Sequence, residues 1–138
     1  PIFKEIPFKL GDLTITAFEV PHDGFDNAGF FVEYGENKFA IATDLGEVTE
    51  RARHYMTQAD FLMIEANYED DIIQEKIRLK QENGEYAYEL QVLKNHLSKA
   101  KCDDFIYKNI GPNGRYVYLH CHKDDEESED NDSEDIAI

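Results

Sequence analysis

The spacing of apolar positions changes character partway along the chain. From Leu13 to Val20 the run Leu-Thr-Ile-Thr-Ala-Phe-Glu-Val is rich in β-branched and aromatic residues and follows a Gly11-Asp12 turn signal, which predicts a strand. Gly29 to Tyr34 and Lys38 to Thr43 are two further apolar runs around Gly35-Glu36-Asn37, the pattern of a hairpin with a short glycine-containing loop. Glu47 to Tyr55 reads as helix, with Glu47 or Thr49 near its start, and Asp60 to Ala66 as a short buried strand. Helical spacing then takes over. Ile72, Ile73, Ile77 and Leu79 precede Tyr86, Leu90 and Leu93, with a break at Asn83-Gly84. Ser98 is placed to cap a helix carrying Phe105 and Ile106, and Gly111-Pro112-Asn113-Gly114 stops it. Tyr116 to Leu119 is a last strand. The order strands, helix, strand, helices, strand predicts an α/β fold with functional groups at strand ends.

Composition narrows this picture. The 138 residues suit one domain, and 41% hydrophobic content supports a packed core. Nine of the 30 acids and none of the 14 bases fall in Asp124–Ile138, so that stretch holds −9 of the net −16. The division expected is a folded domain over 1–123 and an acidic, disordered tail over 124–138. The acidic balance argues against a broad phosphate-binding surface but not against a nucleic acid held through metal ions in a cleft. Within the tail, Asp130-Asn131-Asp132 resembles part of a calcium loop, but the central Gly and terminal Glu are missing at the required offsets. Two cysteines, Cys102 and Cys121, are too few for a disulfide framework and predict a reducing, cytoplasmic setting. No apolar run approaches the length of a membrane span, so no membrane partner is expected. The chain opens at Pro1 with no signal-peptide pattern and no initiating Met, which predicts that it begins inside a longer one.

Candidate chemistry sits directly after the predicted strands. His22 and Asp23 follow the first, Asp44 follows Phe39-Ala40-Ile41-Ala42-Thr43, and His120 and His122 follow the last. A strand fixes the backbone while the residue at its end is free to face a ligand. Three such ends supplying His, Asp and His make a mixed nitrogen and oxygen donor set suited to Zn, Mn or Fe. The bland alternatives are solvated loop histidines and, for Asp44, a helix N-cap. His54, inside a surface helix, reads as structural.

The runs Val20-Pro21-His22-Asp23-Gly24-Phe25-Asp26-Asn27-Ala28-Gly29-Phe30 and Thr43-Asp44-Leu45-Gly46 resemble motifs of the metallo-β-lactamase superfamily, in its WalJ-like, nuclease-like bacterial branch. Ile64-Glu65-Ala66-Asn67-Tyr68-Glu69, Asn95-His96-Leu97-Ser98 and Val117-Tyr118-Leu119-His120 match further motifs in the same order. The resemblance implies a metal-dependent hydrolase, with a phosphodiester in nucleic acid as the substrate in its complete form. It assigns His22, Asp44 and His120 as metal ligands, with His122 the alternative to His120, and Asp44 as the carboxylate bridging two Zn or Mn ions. His96 resembles the histidine that protonates the leaving oxygen, a task suited to a group that titrates near neutrality. Glu65 and Asn67 are expected to support the site rather than touch metal.

One departure governs the rest of the reading. The family's His-x-His-x-Asp-His motif precedes these runs, and the 138 residues do not contain it; His120-Cys121-His122-Lys123-Asp124-Asp125 follows the last strand and lacks the final His. The resemblance therefore implies the C-terminal half of a four-layer αβ/βα sandwich, a fragment inactive alone, with an apolar sheet face that pairs with the missing N-terminal half or in a homodimer. The alternative is a non-catalytic remnant or interaction module that uses the same face.

Overall fold

In the computed structural model, residues 1–21 and 27–121 are described. One mixed sheet of six strands runs in sequence order: β1 (Phe8–Leu10), β2 (Leu13–Glu19), β3 (Ala28–Tyr34), β4 (Asn37–Ala42), β5 (Phe61–Glu65) and β6 (Arg115–Leu119). β1 to β4 form an antiparallel meander, whereas β4, β5 and β6 are parallel. The parallel steps need crossovers, and helices supply them. α1 (Glu50–Met56) joins β4 to β5; α2 (Asp70–Glu82), α3 (Glu89–Asn95) and α4 (Lys99–Asn109) join β5 to β6.

Local chemistry accounts for most boundaries. Gly35, at φ 59°, opens a two-residue hairpin loop, because Asn37 already pairs with Tyr34. Of the two candidate helix starts, Thr49 is the cap: its side chain accepts from the Ala52 amide at 3.2 Å. Ser98 caps α4 in the same way through the Lys101 amide. Strand β1 is the element that the sequence pattern missed.

Strand alternation divides the sheet into two unlike faces. One face sends Phe18, Phe31, Ala40, Ala42, Leu62 and Ile64 into a core closed by Ala52 and Met56 of α1 and by Cys102, Phe105 and Ile106 of α4. Phe18 stacks on Tyr55 with ring centroids 5.0 Å apart. The other face presents Ile15, Phe30, Val32, Phe39, Ile41, Met63 and Val117, each only partly buried. A second, smaller cluster joins Tyr68 and Ala87 to Ile73 and Ile77 of α2, with Val92 and Leu93 of α3 packed alongside.

Gly29 marks a close approach within the main core. A Cβ there would lie 2.4 Å from the Phe18 ring and 3.0 Å from the Ile41 carbonyl oxygen. Phe18 is fully buried and held by Tyr55, so it cannot swing away. Gly29→Ala is expected to destabilise the protein by about 2 kcal/mol, read as a lower urea midpoint at unchanged slope.

Candidate metal centre

Three consecutive parallel strands end on the same side of the sheet, and each end delivers a polar residue. Glu65 is the last residue of β5, Asp44 lies just beyond β4, and His120 follows β6 directly. His96 arrives from the other side, at the C-cap of α3. One donor atom from each of Asp44, Glu65, His96 and His120 falls within 4.8 Å of all the others. Ligands gather at such carboxyl ends because the strands hold diverging loops around a crevice.

Glu65 is the hub. Its side chain is fully buried. Oε2 accepts from the Leu45 amide at 2.7 Å and the Leu97 amide at 3.3 Å. Oε1 faces His96 Nδ1 at 2.5 Å and His120 Nδ1 at 3.1 Å. Both Nδ1 atoms thus face one carboxylate oxygen, the arrangement by which an outer carboxylate orients an imidazole. The two imidazoles meet edge to face, with centroids 4.9 Å apart. Asp44 Oδ1 lies 3.4 Å from His120 Nδ1 and 3.9 Å from His96 Nδ1, and its side chain remains 45% exposed.

Backbone conformation supports a functional reading of the same residues. Only three non-glycine residues among those described have positive φ, and two of them are Asp44 (51°) and His120 (56°). Left-handed backbone costs a side-chain-bearing residue about 1 kcal/mol or more and persists where the surroundings impose it. Here Asn67 Nδ2 donates to the His120 carbonyl at 3.1 Å, and the Leu45 amide is tied to Glu65.

Neighbouring contacts fix the loops. The Gly46 amide donates to Pro21 O at 2.9 Å, joining the Asp44 loop to the residue before His22. Beyond β5, Asn67 N donates to Leu97 O, and Tyr68 pairs with Ser98, which locks the segment around His96 to the strand that carries Glu65. Tyr118, two residues before His120, donates to Asp103 of α4, which also accepts from Lys99 Nζ. Burial alone would raise the Asp103 carboxyl, but these two hydrogen bonds outweigh it and hold the group below its usual range. Burial, and then Asp103, push the Cys102 thiol up to about 12, so it is a protonated core residue and not a thiolate ligand.

Set against the sequence reading, the structure brings Asp44, His96 and His120 together. Asp44 is not a helix N-cap; Thr49 has that place. His54 lies exposed on α1, edge-on to Tyr55. His22, Asp23, the alternative ligand His122 and the whole acidic tail lie outside the described residues. Among the described residues no helix is long and apolar enough to cross a membrane, and Cys102 and Cys121 are not joined in a disulfide.

Comparison with known proteins gives the fold its context. The family described as beta-lactamase superfamily domain matches residues 1–93. Exodeoxyribonuclease WalJ, from two strains of Streptococcus pneumoniae, is 27% identical over 113 residues, covering 79% of this chain and 39% of WalJ. The chain thus spans about two-fifths of the length of these curated relatives. The metallo-beta-lactamase fold protein YhfI from Bacillus subtilis superposes with a TM-score of 0.61 at 16% identity, over 86% of this chain and 41% of YhfI. Human tRNase Z, short form, does so with a TM-score of 0.56 at 18% identity, over 83% of this chain and 38% of that one. By sequence match and by fold alike, the chain belongs to the metallo-β-lactamase superfamily.

Proposed function

We propose that this chain supplies one side of a divalent-metal hydrolase centre acting on phosphodiester bonds of nucleic acid. The convergence of Asp44, Glu65, His96 and His120 at the carboxyl ends of parallel strands is the observation that carries the proposal. The donor set fits such an ion. Asp44 is accessible, and His120 keeps Nε2 because Glu65 occupies its Nδ1. Asp44 and His120 would hold metal together with His22, and Zn or Mn suits that nitrogen and oxygen set. When bound, such an ion supplies Lewis acidity and a nucleophile at neutral pH.

The chain's own residues do the rest. Glu65 orients both imidazoles and His96 offers a proton at Nε2 to the departing oxygen, held there by its Nδ1 contact with Glu65. DNA is favoured as substrate by the identity shared with an exodeoxyribonuclease. Two cysteines not joined in a disulfide favour a cytoplasmic setting. Since these 138 residues contain no His-x-His-x-Asp-His, the remaining ligands come from a complementary polypeptide segment that covers the half-exposed apolar sheet face; a second copy of the chain is the competing occupant.

The test is metal binding by the full chain, followed by elemental mass spectrometry and by Mn2+ water-proton relaxation. Asp44→Ala and His120→Ala are each expected to weaken binding by at least about tenfold. Unchanged affinity in both variants would overturn the assignment. Mn2+- or Zn2+-dependent release of nucleotides from DNA, restored or raised when the complementary segment is co-expressed, is the expected activity.

A further inference from the structure

The six-stranded sheet ends in two unlike edges. At one, β1 is three residues long, with Pro7 before it and Lys9 at its centre, both common ways of blunting an edge. At the other, β6 runs as Arg115-Tyr116-Val117-Tyr118-Leu119, pairs with β5 without a bulge, and has no proline and no charge after Arg115. Among the described residues no further strand pairs with its outer side. Tyr116 to Leu119 are all partly exposed, whereas Leu62 and Ile64 of β5 are fully buried.

Hydrogen bonds fix which backbone groups that outer side offers. The Arg115 amide donates to Asp60 O at 3.0 Å, and the Leu119 carbonyl accepts from the Ala66 amide at 3.1 Å. In an extended strand each residue turns both backbone groups to one side and its neighbours turn theirs to the other, so Arg115, Val117 and Leu119 face β5. Tyr116 and Tyr118 therefore turn their N–H and C=O groups outward.

A second β6 matches that pattern. With two strands antiparallel about a twofold axis at Val117, Tyr116 of each copy exchanges both hydrogen bonds with the partner's Tyr118, and every outward group is met. A slip of one residue would oppose groups already bonded to β5 and turn each side chain to the wrong face. A slip of two would call on Gly114 or His120. The Gly114 amide already donates to Gly111 O, the His120 carbonyl accepts from Asn67, and His120 has left the extended conformation at φ 56°. Charge agrees with the remaining register. It sets Arg115 opposite the partner's Leu119, at the strand end from which the acidic stretch 124–138 continues, and no like charges meet along β6.

We propose that β6 is the seam of a homodimer, in which two copies join edge to edge into one continuous sheet. The seam uses the edge and leaves the apolar face free for the complementary segment. One short edge buries little surface, so a reversible dimer with a Kd of about 1 μM to 1 mM is expected.

Sedimentation velocity of the full chain across that range is expected to show the 16.0 kDa mass doubling with concentration. Hydrogen exchange on the same samples is expected to slow at the Tyr116 and Tyr118 amides as the dimer forms. Val117→Lys and Val117→Glu each oppose two like charges at the axis and are expected to weaken dimerisation at least about tenfold. Mixing these two variants is expected to restore it, which excludes misfolding of either as the cause. Val32→Lys, on β3 within the apolar face, is expected to leave the dimer intact. A monomer at every concentration or a mixture that stays monomeric would overturn the seam. So would a dimer lost with Val32→Lys but kept with Val117→Lys, which would place the contact on the face. Protection of Tyr116 and Tyr118 that does not vary with concentration would overturn it too, and would give the edge to the chain's own C-terminal stretch.

Discussion

Replacing Glu65 by Ala is expected to cost about 3–5 kcal/mol of stability, more than a change at any other polar residue of the site. The reason is the number of groups that depend on one buried side chain. Two backbone amides, of Leu45 and Leu97, and two imidazole nitrogens, of His96 and His120, all face its oxygens. Each buried donor stripped of its acceptor carries a penalty of about 1–3 kcal/mol, partly recovered where the site can relax toward solvent. His120, 43% exposed, can recover more than the Leu97 amide. Glu65→Gln keeps the shape and one acceptor oxygen, so about half the loss is expected. Urea unfolding of the two variants beside the parent checks both the size and the order. A loss below about 1 kcal/mol for Glu65→Ala would mean that Glu65 is not the hub.

Gly46→Ala is expected to produce the next largest effect, and to move stability and metal affinity together. A Cβ at this position would sit 2.7 Å from the Lys94 carbonyl oxygen and 3.4 Å from that of Pro21. Both obstacles are backbone, so no rotamer change relieves the clash. The Asp44 loop must move away from the end of α3, which carries His96, and from Pro21, whose carbonyl accepts from the Gly46 amide. Overpacking of this kind costs about 1–3 kcal/mol. The same displacement should lower Mn2+ affinity about 10–100-fold, as loss of outer support commonly does. Gly29→Ala serves as a comparison, since its added Cβ meets the Phe18 ring first and has no backbone of the Asp44 loop among its nearest contacts; it should lower stability with a smaller change in metal affinity.

Much of the fold is legible in the sequence because its strands are short, apolar and set off by glycine turns. β2, β5 and β6 differ from expectation only at their ends. β1 escapes because Phe8-Lys9-Leu10 is too short to establish a period, and only its pairing with β2 identifies it. The start of α1 is left open between Glu47 and Thr49 for a different reason. Leu45 and Val48 suit a helix, but the backbone there is engaged elsewhere: the Leu45 amide is bonded to Glu65 and that of Gly46 to Pro21, so the helix waits for Thr49. Asp44, His96 and His120 are identifiable from strand-end position and motif. The role of Glu65 as hub is not, since its partners come from three distant segments. Glu89 carries no signal in the sequence; packing of α3 against α2 buries it.

The sheet also sets an order of assembly. Strands β1 to β4 pair through near neighbours along the chain, whereas β5 must cross residues 43–60 and β6 residues 66–114 before pairing. Closing longer loops costs more entropy, so the parallel half closes late. A chain holding only the meander has Asp44 in place but neither Glu65 nor His120 beside it. An ion that needs the whole cluster therefore meets no site until folding is nearly finished. Its stabilisation falls on the barrier to opening: bound metal should prolong the life of the native sheet without hastening its formation.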